Sequence, residues 1–133
     1  MKKTKQILQE ILYITIATAT KDGIPWNSPV YSAFDEDYNF YWASDRNGQH
    51  SKNIKDNPNV FLVIYDSTAP EGTGEGVYIQ AKACELTDEN ERLRALKVLD
   101  QRVGKTKERT AKELLGDYSR RVYKAVPEDV DEC

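Results

Sequence analysis

The chain has 133 residues, enough to build one domain around a genuine core, with 39% apolar and 31% charged residues. Its net charge of −3 favours neither nucleic acid nor an anionic membrane as a partner. No run reaches transmembrane length, two cysteines make no disulfide framework, and the N-terminal apolar residues are too interrupted for a signal peptide, so a cytoplasmic location is expected.

Residues Lys3 to Ile11 predict a short amphipathic helix with Ile7, Leu8 and Ile11 inward. The β-branched run Leu12 to Thr20 reads as a strand, and Asp22-Gly23 turns it towards a second strand over Trp26 to Phe34. The acidic triplet Asp35-Glu36-Asp37 reads as a solvated turn rather than a pair of catalytic carboxylates. A strand from Tyr38 follows, with Tyr38, Phe40 and Trp42 on one face and Asn39, Tyr41 and Ala43 on the other.

That strand runs into the most polar stretch of the chain. Asp45 to Gly48 predicts a tight turn, and Gln49 to Asn57 a short helix ended by Pro58. Ser44 at the strand end, free N–H groups in the first helical turn, and the side chains of His50, Ser51, Lys52 and Asn53 together suggest an anion cradle. The same pattern also suits an ordinary strand-turn-helix with a solvated polar face.

Val60 to Tyr65 is apolar on both faces and predicts a central, fully covered strand. A glycine-rich loop precedes a strand over Val77 to Leu86; lying between strands, Gly72 to Gly76 cannot be a dinucleotide fingerprint, which must open a helix. Asp88 and Glu91 predict a capping box for a helix to about Val103, with Leu93, Leu96, Leu99 and Val103 inward. A helix from Lys107 to Leu115 ending at Gly116, a strand from Arg120 to Val126 and a frayed acidic tail over Glu128 to Cys133 complete the reading. The pattern is mainly β (α+β), a small antiparallel barrel with flanking helices. One histidine and two distant cysteines supply no zinc shell. Neighbouring helical residues point apart, so Asp45, His50 and Ser51 make no nucleophile system.

In order and wording, GIPWNSPVYSAFDEDYNFYWAS, HSKNIKDNPNVFLVIYDS, GEGVYIQAKACEL and RRVYKAVPEDV resemble the pyridoxamine 5′-phosphate oxidase-like superfamily of flavin-binding proteins. The resemblance implies a six-stranded antiparallel split barrel, a homodimer, and FMN held at its interface. It implies phosphate contacts from Ser44, Gln49, His50 and Ser51, with Asn53 nearby. It also implies that Ser28, Pro29, Val30 and Tyr31 run along the isoalloxazine, and that Gly76 and Tyr78 approach the flavin.

Departures from the family pattern narrow the activity. Gln49 and His50 replace a basic pair, Ala33 replaces a basic residue, and Val126 to Cys133 lacks the arginine and histidine that engage a pyridoxal substrate. The expectation is an FMN-dependent oxidoreductase of unassigned substrate, without pyridoxamine phosphate oxidase activity and with no catalytic side chain named. The alternative is a non-catalytic flavin- or haem-binding module that stores or senses its ligand.

Overall fold

The computed structural model describes residues 2–103 and 119–132. Helix α1 spans Lys2–Glu10 and is followed by β1 (Tyr13–Ala19), β2 (Pro25–Tyr31), β3 (Ala33–Phe34) and β4 (Phe40–Asp45). Then come α2 (Gln49–Asp56), β5 (Asn59–Tyr65), β6 (Gly76–Glu85), α3 (Glu89–Val103) and β7 (Arg120–Glu132). The expected helix from Lys107 to Leu115, with its Gly116 cap, lies outside the described residues.

Every strand pairing is antiparallel, in the order β2-β1-β5-β6-β7-β4-β3. The strands at the two ends of that order are one run of chain, broken only at Ser32. Ser32 donates its N–H to the Leu12 carbonyl at 3.0 Å and its hydroxyl to the Tyr41 carbonyl at 3.0 Å, so the break is bonded to both sides of the seam. The expected strand Trp26 to Phe34 is therefore divided, and the sheet closes through it. Seven strands by count make a six-strand split barrel with one strand shared across the seam.

Strand alternation sorts the side chains into two cores. Ile14, Ile16, Phe40, Trp42, Leu62 and Tyr123 belong to the barrel interior, while Tyr41 and Val122 face outward under Ala95, Leu96 and Leu99 of α3. Trp42 stacks on Tyr123, its register partner across β4 and β7, with ring centres 5.9 Å apart.

Five expectations are corrected. Tyr38 is not in the strand: it has φ of 61° in the turn before β4, and its ring stacks on Phe34 at 5.9 Å. Central though it is, β5 is covered on one face only, since Phe61 and Val63 are half-buried and Tyr65 is exposed. On α3 the buried arc is Arg92, Ala95, Leu96, Leu99 and Asp100, while Leu93 is exposed. With Ala95 fully buried beside Leu96 and Leu99, that arc is turned away from the expected stripe.

Asp35 is no solvated turn residue. It is 6% exposed and accepts hydrogen bonds from the Asp37 and Asn39 backbones, the Asn39 side chain and the Tyr41 hydroxyl. The acidic tail is not frayed through Glu132 either, because β6 continues to pair with β7 as far as Val77 opposite Glu132. A bulge beside Ala81 and Pro127 absorbs the proline, whose missing N–H a regular ladder would not tolerate.

Candidate functional site

Strand β4 delivers Ser44, 8% exposed, to the barrel end where α2 begins. Asp45 builds the intervening turn: its carboxylate accepts the Asn47 N–H at 2.8 Å and its carbonyl the Gly48 N–H at 3.0 Å. Gly48 is the N-cap of α2 and supplies no side-chain cap. The backbone N–H groups of Gln49, His50 and Ser51 have no acceptor among the described residues, which leaves a positive helix end beside Ser44.

His50 is half-buried, and its Nε2 is buried without a hydrogen-bond partner among the described residues. Gly48 packs closely on the turn: a Cβ there would stand 3.3 Å from the Asp45 carbonyl oxygen, and in ordinary contact with the imidazole. Burial holds the His50 pKa below its ordinary value, because the charged form loses solvent. An anion at this helix end would reverse that preference.

Asn53 is buried, and its amide ties α2 to the barrel. Its Nδ2 donates to the Thr18 hydroxyl at 3.0 Å, and its Oδ1 accepts from Gln49 Nε2 at 2.8 Å. Ser51 offers its N–H to the helix end, and the residue also lines a groove with Asn47, Lys55 and Tyr123.

The β2 segment lies at the seam. Ser28 is half-buried opposite Ile16, Pro29 is exposed, Val30 enters the core opposite Ile14, and Tyr31 meets Tyr13 edge-on at 5.7 Å. Being last in the strand order, β2 keeps one backbone edge without a ladder. Gly76 and Tyr78 do not join the α2 cluster within one chain. Gly76 pairs with Tyr65, at the far end of the strand that starts beside α2. The Tyr78 ring lies over Gly76, where a Cβ would come within 3.2 Å of it.

Thus the structure brings Ser44, Gln49, His50, Ser51 and Asn53 together, sets Ser28 to Tyr31 along the seam, and leaves Gly76 and Tyr78 apart. Sequence reasoning missed Thr18, the partner of Asn53, because a strand threonine gives no sign of what lies across the barrel. It also missed Tyr123 beside α2, for the same reason. No group of three or more metal-ligating side chains occurs among the described residues.

The sheet closed at Ser32, with an uncapped helix at a strand end, is a split-barrel architecture. A family model for pyridoxamine 5′-phosphate oxidase matches residues 1–133, and the chain belongs to that family. No curated protein sequence matches it. Among solved structures, HutZ, the haem storage protein from Vibrio cholerae, superposes with a TM-score of 0.82 at 17% identity, over 98% of this chain and 92% of that one. Campylobacter jejuni ChuZ gives 0.79 at 15% identity, over 98% of this chain and 54% of that one. An F420 reductase gives 0.68 at 21% identity, over 96% and 94%. At these identities the likeness establishes the fold alone.

Proposed function

We propose that the chain is an FMN-binding oxidoreductase of the cytoplasm, acting as a homodimer with the flavin at the subunit interface. The observation that carries this reading is the N-terminus of α2, uncapped and flanked by Ser44 and by the unpartnered, buried Nε2 of His50. Buried polar atoms are normally paired, so an orphan beside free N–H groups fits an oxyanion such as a flavin phosphate. The free edge of β2 at Ser28 to Tyr31 fits the polar rim of an isoalloxazine. The separation of Gly76 and Tyr78 from α2 fits a site to which a second copy contributes them.

When bound, the flavin supplies hydride or electron transfer. The chain's own part is to hold the phosphate at Ser44, Gln49, His50 and Ser51, with His50 Nε2 donating a hydrogen bond to it, and to orient the ring along β2. Gln49 and His50 stand where the family has a basic pair, and Ala33 replaces a further basic residue. These replacements favour a substrate other than a pyridoxal phosphate.

The test compares FMN and riboflavin in wild type and Ser44→Ala. A hydroxyl donating to a phosphate contributes about 1.5–3 kcal/mol, so FMN affinity should fall by about one to two decades. Riboflavin, which lacks the phosphate, should bind both proteins equally. Equal losses for the two ligands would remove Ser44 from the phosphate site. A haem-binding module is the second reading, favoured by the unpartnered Nε2 of the chain's sole imidazole, His50. A haem titration with a Soret shift lost in His50→Gln would select it.

A further inference from the structure

Polar amides recur at four-residue steps along α2 and its cap: Gln49, Asn53 and Asn57, a spacing that puts them on one face. An apolar side chain at Asn53 would dock the helix at less cost, since a buried amide must find partners for its polar atoms. Asn53 is 3% exposed and finds two: the Thr18 hydroxyl, itself 3% exposed, at 3.0 Å, and the Gln49 amide at 2.8 Å. The three side chains form a relay from the buried wall of β1 to the first residue of α2.

Gln49 is exposed, and a glutamine at a helix start without such a bond would sample many rotamers. The bond to Asn53 holds it, and Asn53 is held by Thr18. Docking of the helix does not rest on this relay alone. Ile54 belongs to the barrel core, and one turn beyond Asn53 the Asn57 amide donates to the Thr20 carbonyl at 3.3 Å. What Thr18 governs is therefore the placement of the amide at the helix start.

We propose that Thr18 is a positioning residue for the anion site, acting through Asn53 to preorganise Gln49 as a neutral donor to the phosphate. The proposal rests on the flavin-phosphate reading above and adds to it the device that fixes one donor. Gln49 Nε2 gives one N–H to Asn53 and keeps its second for the oxyanion. Holding the amide beforehand removes the ordering cost that a flexible donor brings to binding. An uncharged side chain can then contribute at a helix end where a cation would otherwise be needed.

The test is a double-mutant cycle on Thr18→Val and Gln49→Ala in the full chain, read as affinity for FMN and for riboflavin. Valine keeps the branched shape and strand preference of threonine and deletes the hydroxyl. Each single variant should weaken FMN binding by about three- to tenfold, the worth of one neutral hydrogen bond, and leave riboflavin unchanged. The double variant should lose no more than either single one, because both changes act through the same amide. Thr18→Ser, which keeps the hydroxyl, should restore FMN affinity. Thr18→Ala removes the same hydroxyl and should give the same selective loss, so the result does not depend on how one variant folds. Unchanged FMN affinity, losses that add in the double variant, a loss shared by riboflavin, or no rescue by serine would each overturn the proposal and leave the phosphate reading standing. A wild type that binds FMN no better than riboflavin would overturn the phosphate reading itself, and the proposal with it.

Discussion

At the scale of single residues, two buried polar groups carry opposite loads. Burial alone would raise the Asp35 pKa, but hydrogen bonds from the Asn39 backbone, the Tyr41 hydroxyl, the Asn39 side chain and the Asp37 backbone outweigh it and hold the carboxyl below its ordinary range. The partner feels the reverse: burial, then the bond to Asp35, pushes the Tyr41 phenol well above its ordinary value. A depressed carboxylate contributes stability that is present above the unfolded pKa and is lost as pH falls through the folded one. Asp35→Asn should therefore destabilise the protein by about 1.5–3 kcal/mol at neutral pH, with the difference shrinking below about pH 4. Urea unfolding of both proteins across pH 3 to 7, a range set by the ordinary carboxylate pKa of about 3.9, checks this. A difference constant across that range would mean that Asp35 acts by shape rather than charge.

His50 responds to a ligand in the other direction. Its pKa is already low in the free protein through burial, and a phosphate dianion would raise it. Protonation then accompanies binding, so affinity is highest below the free-protein pKa, falls as pH rises between the two values, and levels above the higher one. The second ionisation of FMN, near pH 6, overlaps this window but is common to wild type and His50→Gln. The ratio of wild-type to variant affinity should decline as pH rises from about 6 to 8. A flat ratio would leave His50 without a charge role at the phosphate.

At the scale of elements, the strand-turn-helix around α2 was legible because each step has local chemistry. Asp45 makes the turn, Pro58 ends the helix, and polar side chains leave the strand at Ser44. The cap of α3 was legible too: the Glu91 N–H donates to the Asp88 carboxylate at 3.0 Å, and Asp88→Ala should lower stability by about 1 kcal/mol in thermal or urea unfolding. An unchanged midpoint would show that the cap is dispensable. What the sequence could not reveal depends on tertiary partners. Asp35 looks like any turn aspartate until Tyr41 and Asn39 close over it. The rotation of α3 shows only once Ala95 is seen buried with Tyr41 and Val122 of the sheet. The division at Ser32 depends on which two strands its N–H and hydroxyl meet.

Arg102 is another such residue. It donates to the Leu8 and Ile11 carbonyls at 2.6 and 3.0 Å and lies 5.4 Å from the Phe34 ring centre, clamping the end of α1 to α3. Arg102→Ala should speed amide exchange across α1 while leaving β5 and β6 protected. Uniform protection in both proteins would show that α1 docks without the clamp.

At the scale of the molecule, the barrel leaves apolar surface that one chain does not cover. Trp26 is 50% exposed on the seam strand, Tyr13 and Ile24 are exposed near it, and Tyr65 is exposed at the end of β5. Such surface fits a second copy, the same one that would bring Gly76 and Tyr78 to the flavin. Trp26→Glu should shift sedimentation from dimer to monomer and weaken FMN binding in parallel. A wild-type protein that sediments as a monomer while binding FMN tightly would separate the site from the interface. No helix among the described residues is long and apolar enough to cross a membrane.

The central claim is that this barrel carries a flavin phosphate at the start of α2. The most direct measurement is the visible absorption of the protein purified from cells without added cofactor, with the released chromophore identified by mass. The account predicts flavin bands and a released mass equal to FMN, reduced to background by Ser44→Ala combined with His50→Gln. A Soret band with released haem, or a chromophore retained unchanged by that double variant, would contradict it.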